Sequence, residues 1–121
     1  MVLERCWRTI LYSAKKAGVK VRIAHCHKCE NKGEGIFHAL ITWSSSAASY
    51  AEWDYPLIFV EDRLICDGNG IKTGVEYENA ESEPKRTVEY TDGSAEFTLE
   101  GNRLFWNDLK EHRADDMLFR K

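Results

Sequence analysis

At 121 residues, with 17 Lys and Arg against 20 Asp and Glu, the chain carries a formal net charge of −3 and is 43% hydrophobic. That length sets a prior of one domain spanning residues 1–121, with enough surface to bury for a core that needs no staples. Two prolines and eight glycines exclude a collagen-like or proline-rich chain, and 12% aromatics argue against wholesale disorder. No apolar run reaches the ~18 residues of a membrane span, so no membrane partner is expected.

The opening MVLERCWRTILYSAKK breaks its apolar stretch with charge and does not read as a signal-peptide core. The expectation is a cytoplasmic, reducing setting in which Cys6, Cys26, Cys29 and Cys66 stay unpaired. Within residues 3–17, Leu3, Cys6, Trp7, Ile10, Leu11, Ala14 and Ala17 recur at helical spacing. This predicts an N-terminal amphipathic helix, with Lys15 and Lys16 at the negative end of its dipole and Gly18 as its stop.

After Gly18 the period becomes two. Val19, Val21 and Ile23 alternate with Lys20 and Arg22, predicting a strand to about residue 26. Residues 30–35 form a polar turn, and residues 36–43 a second, strongly apolar strand. Residues 47–53 fit one helical turn capped by Ser46 and stopped before Pro56. Residues 57–60 and 64–66 make a hairpin, residues 67–70 a turn, and residues 71–77 a further strand. After an acidic loop at 78–85, residues 87–91 and 94–99 flank Asp92-Gly93, a two-residue hairpin signal. Gly101-Asn102 turns the chain into 103–106, and 117–119 is a last short strand. One helix followed by about seven to nine short strands at hairpin spacing predicts an α+β fold. The helix packs on a mainly antiparallel, curled sheet or partly open barrel, which hides its apolar stripe and the sheet edges.

The small net charge hides an asymmetry. Residues 1–32 hold eight bases and two acids, and residues 61–121 hold nine bases and fifteen acids. A basic stretch beside an acidic body can draw an anionic partner, yet helix and strand surfaces need charge for solvation alone. The second reading is preferred, and nucleic acid is disfavoured as a partner.

The densest reactive cluster is His25, Cys26, His27 and Cys29, where imidazole and thiolate ligands and Cys-x2-Cys spacing suit zinc. Strand alternation places His25, His27 and Cys29 on one side and Cys26 on the other, so one ion needs a turn at Cys26. A nucleophile reading would draw Cys66 or Ser44–Ser46, His38 or His112, and Asp54 or Asp67 together, without any local signature. Glu89 facing Glu96 across the Asp92-Gly93 hairpin would make a carboxylate pair, a feature that acidic surface strands also carry. Asp67, Asn69 and Glu78 fail as a calcium loop because Ile71 and Lys72 fill ligand and glycine positions; Gly68-Asn69-Gly70 fails as a phosphate loop.

Trp43, Tyr50, Trp53 and Tyr55 gather within a short Ser/Ala-rich stretch and could form an aromatic wall for a flat ligand or a protein partner, or plug the core. Trp7 and Trp106 read as core. The leading expectation is a non-enzymatic binding module without a cofactor. It takes a small molecule or protein at the open end or concave face of the sheet near those four aromatics. The alternative is a zinc-type protein using His25, Cys26, His27 and Cys29, and a homo-oligomer through an unpaired edge stays open.

Overall fold

The structure, a computed structural model, describes residues 8–26, 36–46, 48–79, 81 and 83–120. Among them there is no helix. Eight strands run in sequence order: β1 (Arg8–Lys16), β2 (Val19–Cys26), β3 (Ile36–Ser46), β4 (Ser49–Val60), β5 (Arg63–Glu76), β6 (Lys85–Glu100), β7 (Arg103–Asp108) and β8 (Met117–Arg120). Each pairs antiparallel with the next in one sheet. The sheet curls until β8 meets β1, giving a nearly closed barrel. Side chains span that seam: the Tyr12 hydroxyl lies 3.0 Å from Asn102 O and 3.1 Å from Phe119 O, and Lys16 Nζ donates to Leu118 O at 3.2 Å.

The fold is therefore all-β, and the expected α+β class with its N-terminal helix is overturned. Residues 1–7 lie outside the described part, but residues 8–16 of the supposed helix are strand β1. A register shift between Ile10 and Tyr12 disguises the period of two and lets apolar residues mimic helical spacing. Of the β1 residues whose burial is described, 12–16, Tyr12, absent from the helical stripe, is the buried one. Gly18 is no helix stop: Ala17 (φ 47°) and Gly18 (φ 86°) are the two left-handed residues of a tight hairpin between Lys16 and Val19.

Three other expectations change. Residues 49–53, expected as part of a helical turn, open strand β4, which runs through Pro56. Pro56 faces His38 on β3, but toward β5 it falls in the irregular stretch between Asp54 and Ile58, where no ladder bond needs its missing N–H. Asp92-Gly93 is not a hairpin; both residues sit inside the 16-residue β6. Residues 67–70 likewise form an irregular stretch of β5 rather than a turn between strands. There Gly70 pairs with Gly93, and a Cβ at Gly70 would come within 2.6 Å of the Tyr55 ring. The glycines thus admit aromatic rings over the backbone instead of reversing the chain.

The barrel interior is filled. Val21, Ile23, Ile41, Trp53, Tyr55, Leu57, Phe97, Leu104, Trp106 and Phe119 are its largest apolar side chains. Trp53 and Trp106 meet edge to face at 5.3 Å, and Phe97 stacks on Trp106 at 6.4 Å. No described helix is long and apolar enough to cross a membrane.

Candidate functional site

One end of the barrel carries the β1–β2, β3–β4 and β5–β6 turns, and the segment 109–116 between β7 and β8 folds across it. Asp108, the last residue of β7, fixes that crossing. Its buried carboxylate accepts the backbone N–H groups of Lys110 (3.0 Å), Glu111 (3.1 Å) and Arg113 (3.2 Å). Backbone bonds from Asp108 N to Ala114 O and from His112 N to Asp108 O close the loop on itself, and His112 takes a left-handed φ of 59°. A loop held by so many charge-assisted bonds presents its side chains in fixed positions.

The loop delivers two of them to the barrel mouth. Glu111 Oε1 lies 3.0 Å from Lys72 Nζ and 3.2 Å from the Tyr90 hydroxyl. The Arg113 guanidinium lies over the rings of Trp43 (4.9 Å) and Trp53 (5.8 Å). Lys72 reaches the mouth from β5. It is 4% exposed, also pairs with Glu89 Oε1 at 3.1 Å, and lies over the rings of Trp53 and Tyr90. Trp53 Nε1 donates to the Tyr90 hydroxyl at 3.1 Å. Burial first, then the Glu111 and Asp108 carboxylates, pushes the Tyr90 phenol well above its ordinary pKa, so it remains a neutral hydrogen-bonding group. Glu89 owes its place to Gly74, where a Cβ would come within 2.8 Å of Glu89 Oε2.

These groups border an open cleft of about 200 Å³, whose walls include Trp43, Ser45, Ser49, Tyr50, Glu89 and Arg113, with Lys72 and Glu76 beside them. Among the described residues Arg113 makes no ion pair, while Lys72 is shared by two carboxylates. The arrangement offers a fixed cation on an aromatic face, a carboxylate opposite, and hydroxyl groups between. Such a set can hold a ligand that carries both charges.

Of the four aromatics expected to form a wall, Trp43 and Tyr50 line this cleft. Trp53 and Tyr55 are buried beneath it as core, with Trp53 supporting Lys72 and Arg113 from below. Sequence reading missed Lys72, Glu89, Glu111 and Arg113 as a group. The one local signal is that Lys72 stands in phase with Gly70 and Gly74, small residues that leave an inward lysine room.

The zinc-type alternative gains no support. His25, on β2, packs its ring 4.8 Å from Phe37; Cys26 ends β2 opposite Ile36, and His27 and Cys29 lie outside the described residues. No three His, Cys, Asp or Glu side chains among the described residues gather as metal ligands. The nucleophile reading does not assemble either. His38 pairs with Asp54 at 2.8 Å on β3 and β4, whereas Cys66 belongs to the core cluster inside the barrel. Burial pushes the Cys66 thiol up to about 11, and it donates to Asn69 Oδ1 and Gly93 O. Glu89 and Glu96 share β6 instead of facing each other, so the expected carboxylate pair is absent.

Compared with protein-family models, curated proteins and solved structures, the chain matches none.

Proposed function

We propose that this chain is a non-enzymatic binding module whose ligand is a compact zwitterion held at the barrel mouth. The observation that carries this reading is Lys72, a lysine 4% exposed and kept between Glu89 and Glu111 at the wall of an open cleft. For stability alone, an apolar side chain of similar volume serves as well or better, because desolvating an ion pair offsets most of its Coulombic gain. In the cleft the ligand's anionic end faces Arg113, its cationic end faces Glu89 and Glu76, and its apolar part lies against Trp43. At about 200 Å³ the space is below the ~300 Å³ of drug-sized pockets and suits a metabolite of amino-acid size.

The test is a thermal-shift and tryptophan-fluorescence screen of free amino acids and betaines, with Arg113→Gln as the control. A zwitterion that stabilises the native chain and not Arg113→Gln supports the reading. Equal stabilisation of both, or a response confined to ligands of one charge, overturns it.

A further inference from the structure

The outer face of the β1–β2 hairpin carries a basic cluster that the mouth does not use. Lys15 and Lys20 are direct cross-strand partners, and Arg22 follows Lys20 on the same face of β2. Like charges placed directly opposite repel, so this pairing works against the hairpin. Lys16, one residue from Lys15, is turned to Leu118 O. Among the described residues Lys15, Lys20 and Arg22 form no ion pair. The cluster is held in place by Ser44 N, which donates to Gly18 O at 3.0 Å and ties the hairpin to β3.

Two clefts meet there. One of about 340 Å³ is bordered by Lys15, Lys16, Lys20, Thr42 and Ser44, without an acidic side chain. The other, of about 420 Å³, shares Lys20 and Thr42 with it and continues past Arg22 and over Leu40 and Ile71 to Glu52 and Asp54. Register fixes this order: Lys20, Thr42 and Glu52 stand abreast on β2, β3 and β4, as do Arg22, Leu40 and Asp54. Two strand spacings of ~4.8 Å separate the basic from the acidic wall. Glu52 already binds Arg86 and Asp54 binds His38, each at 2.8 Å, so the far wall is anchored and offers acceptor lone pairs.

We infer that this double cleft binds a phosphorylated small molecule that also carries hydroxyl or amino donors. The phosphate occupies the lysine cleft, where Lys15 and Lys20 supply charge and Thr42 and Ser44 supply hydroxyls, with Arg22 adding charge from the adjoining cleft. The remainder of the molecule crosses Leu40 and presents its donors to Glu52 and Asp54. Among the described residues bordering the two clefts the one aromatic is Trp53, whose ring is buried in the core. Neither cleft therefore offers the stacking platform that single-stranded nucleic acid uses, and the acidic wall repels a continuing phosphate backbone. The site lies on the opposite face of the wall from the mouth and does not depend on the zwitterion reading.

Amide NMR titrations of the full chain at constant ionic strength test it, with glucose 6-phosphate, glucose, inorganic phosphate and a short single-stranded oligonucleotide as probes. Glucose 6-phosphate is expected to shift the amides of residues 15–22 and 42–44 saturably, inorganic phosphate more weakly, and glucose not at all. Losing two charge-assisted bonds in Lys15→Gln/Lys20→Gln is expected to weaken glucose 6-phosphate binding at least about tenfold. Both residues are exposed and mutually repulsive, so the variant is expected to melt no lower than the native chain. Shifts equal in the native chain and the variant, no saturation, or tighter binding of the oligonucleotide overturn the inference.

Discussion

Lys72 separates a charge kept for stability from one kept for another purpose, through the unequal effect of removing it or its partners. Replacing it with Met preserves the unbranched chain that lies on Trp53 and Tyr90 while deleting the ammonium. Glu89 and Glu111, 42% and 33% exposed, can then turn to water at little cost. Lys72→Met is therefore expected to fall within about 1 kcal/mol of the native stability, or above it, as apolar replacements of buried ion pairs do. Glu89→Gln/Glu111→Gln does the opposite: it leaves a 4% exposed ammonium without a countercharge. Removing the partner of a buried ion costs ~3–5 kcal/mol, and the exposure of both glutamates points to the lower end, about 3 kcal/mol. Urea unfolding followed by the buried Trp53 and Trp106 reads this directly. With a slope of ~1–3 kcal/mol per molar, the double variant is expected to lose roughly 1 M or more in midpoint. In the screen for the proposed ligand, Lys72→Met is expected to lose binding while keeping its midpoint. Equal destabilisation of the two variants would refute the argument that the lysine is dispensable to the fold.

Asp108→Ala removes the acceptor of three backbone N–H groups from a buried position and is expected to cost about 3 kcal/mol, with the amides of Lys110, Glu111 and Arg113 exchanging faster than those of β7 in hydrogen-exchange NMR. Gly70→Ala drives a methyl to within 2.6 Å of the Tyr55 ring and is expected to lose about 1–3 kcal/mol by calorimetry, whereas Gly68→Ala meets nothing and is penalised only by its φ of 80°. Alkaline stability is expected to fall before the tyrosines titrate. Cys66 rises from 9.0 to about 11 on burial, so the unfolded chain loses its proton first; the thiol's contribution is whole below pH 9 and lost by about pH 11. Two pH units amount to about 3 kcal/mol. Because the buried Tyr55 and Tyr90 phenols are also raised from 10.0 and add their own loss above pH 10, the unfolding midpoint of Cys66→Ala is expected to be flatter than that of the native chain between about pH 9 and 10.

The sequence was legible wherever the period of two ran unbroken. The strand beginning at Val19, the Leu57 to Cys66 hairpin and the Gly101-Asn102 turn are all present, with Gly101 left-handed at φ 64°. It misled where strands are irregular. The shift at Ile10/Tyr12 turned β1 into an apparent helix, and the Gly70/Gly93 pair looked like two turns because glycine serves close packing as readily as chain reversal. The candidate site was half legible. Trp43 and Tyr50 were readable as aromatics near a barrel end, but Lys72, Glu89, Glu111 and Arg113 come from β5, β6 and the segment after β7. Their meeting depends on the crossing that Asp108 holds, and no local spacing records it.

Strand β3 relates the two proposed sites. Trp43 packs against the core from the inner face and carries Arg113, while Thr42 and Ser44, its neighbours in sequence, border the outer lysine cleft. Alternation therefore lets one strand serve two ligands that never touch, with the backbone itself as the partition. Because the two sites share no charged partner, Arg113→Gln and Lys15→Gln/Lys20→Gln are expected to act additively on stability, within about 0.5 kcal/mol. Each should remove only its own ligand. The exception is the Gly18 O to Ser44 N bond, which ties the lysine hairpin to the strand that carries Trp43. Strain at the hairpin reaches β3 through that bond and the adjoining Val19–Trp43 and Lys20–Thr42 pairs, and Gly18→Pro, which cannot adopt its positive φ, is the change expected to couple the sites.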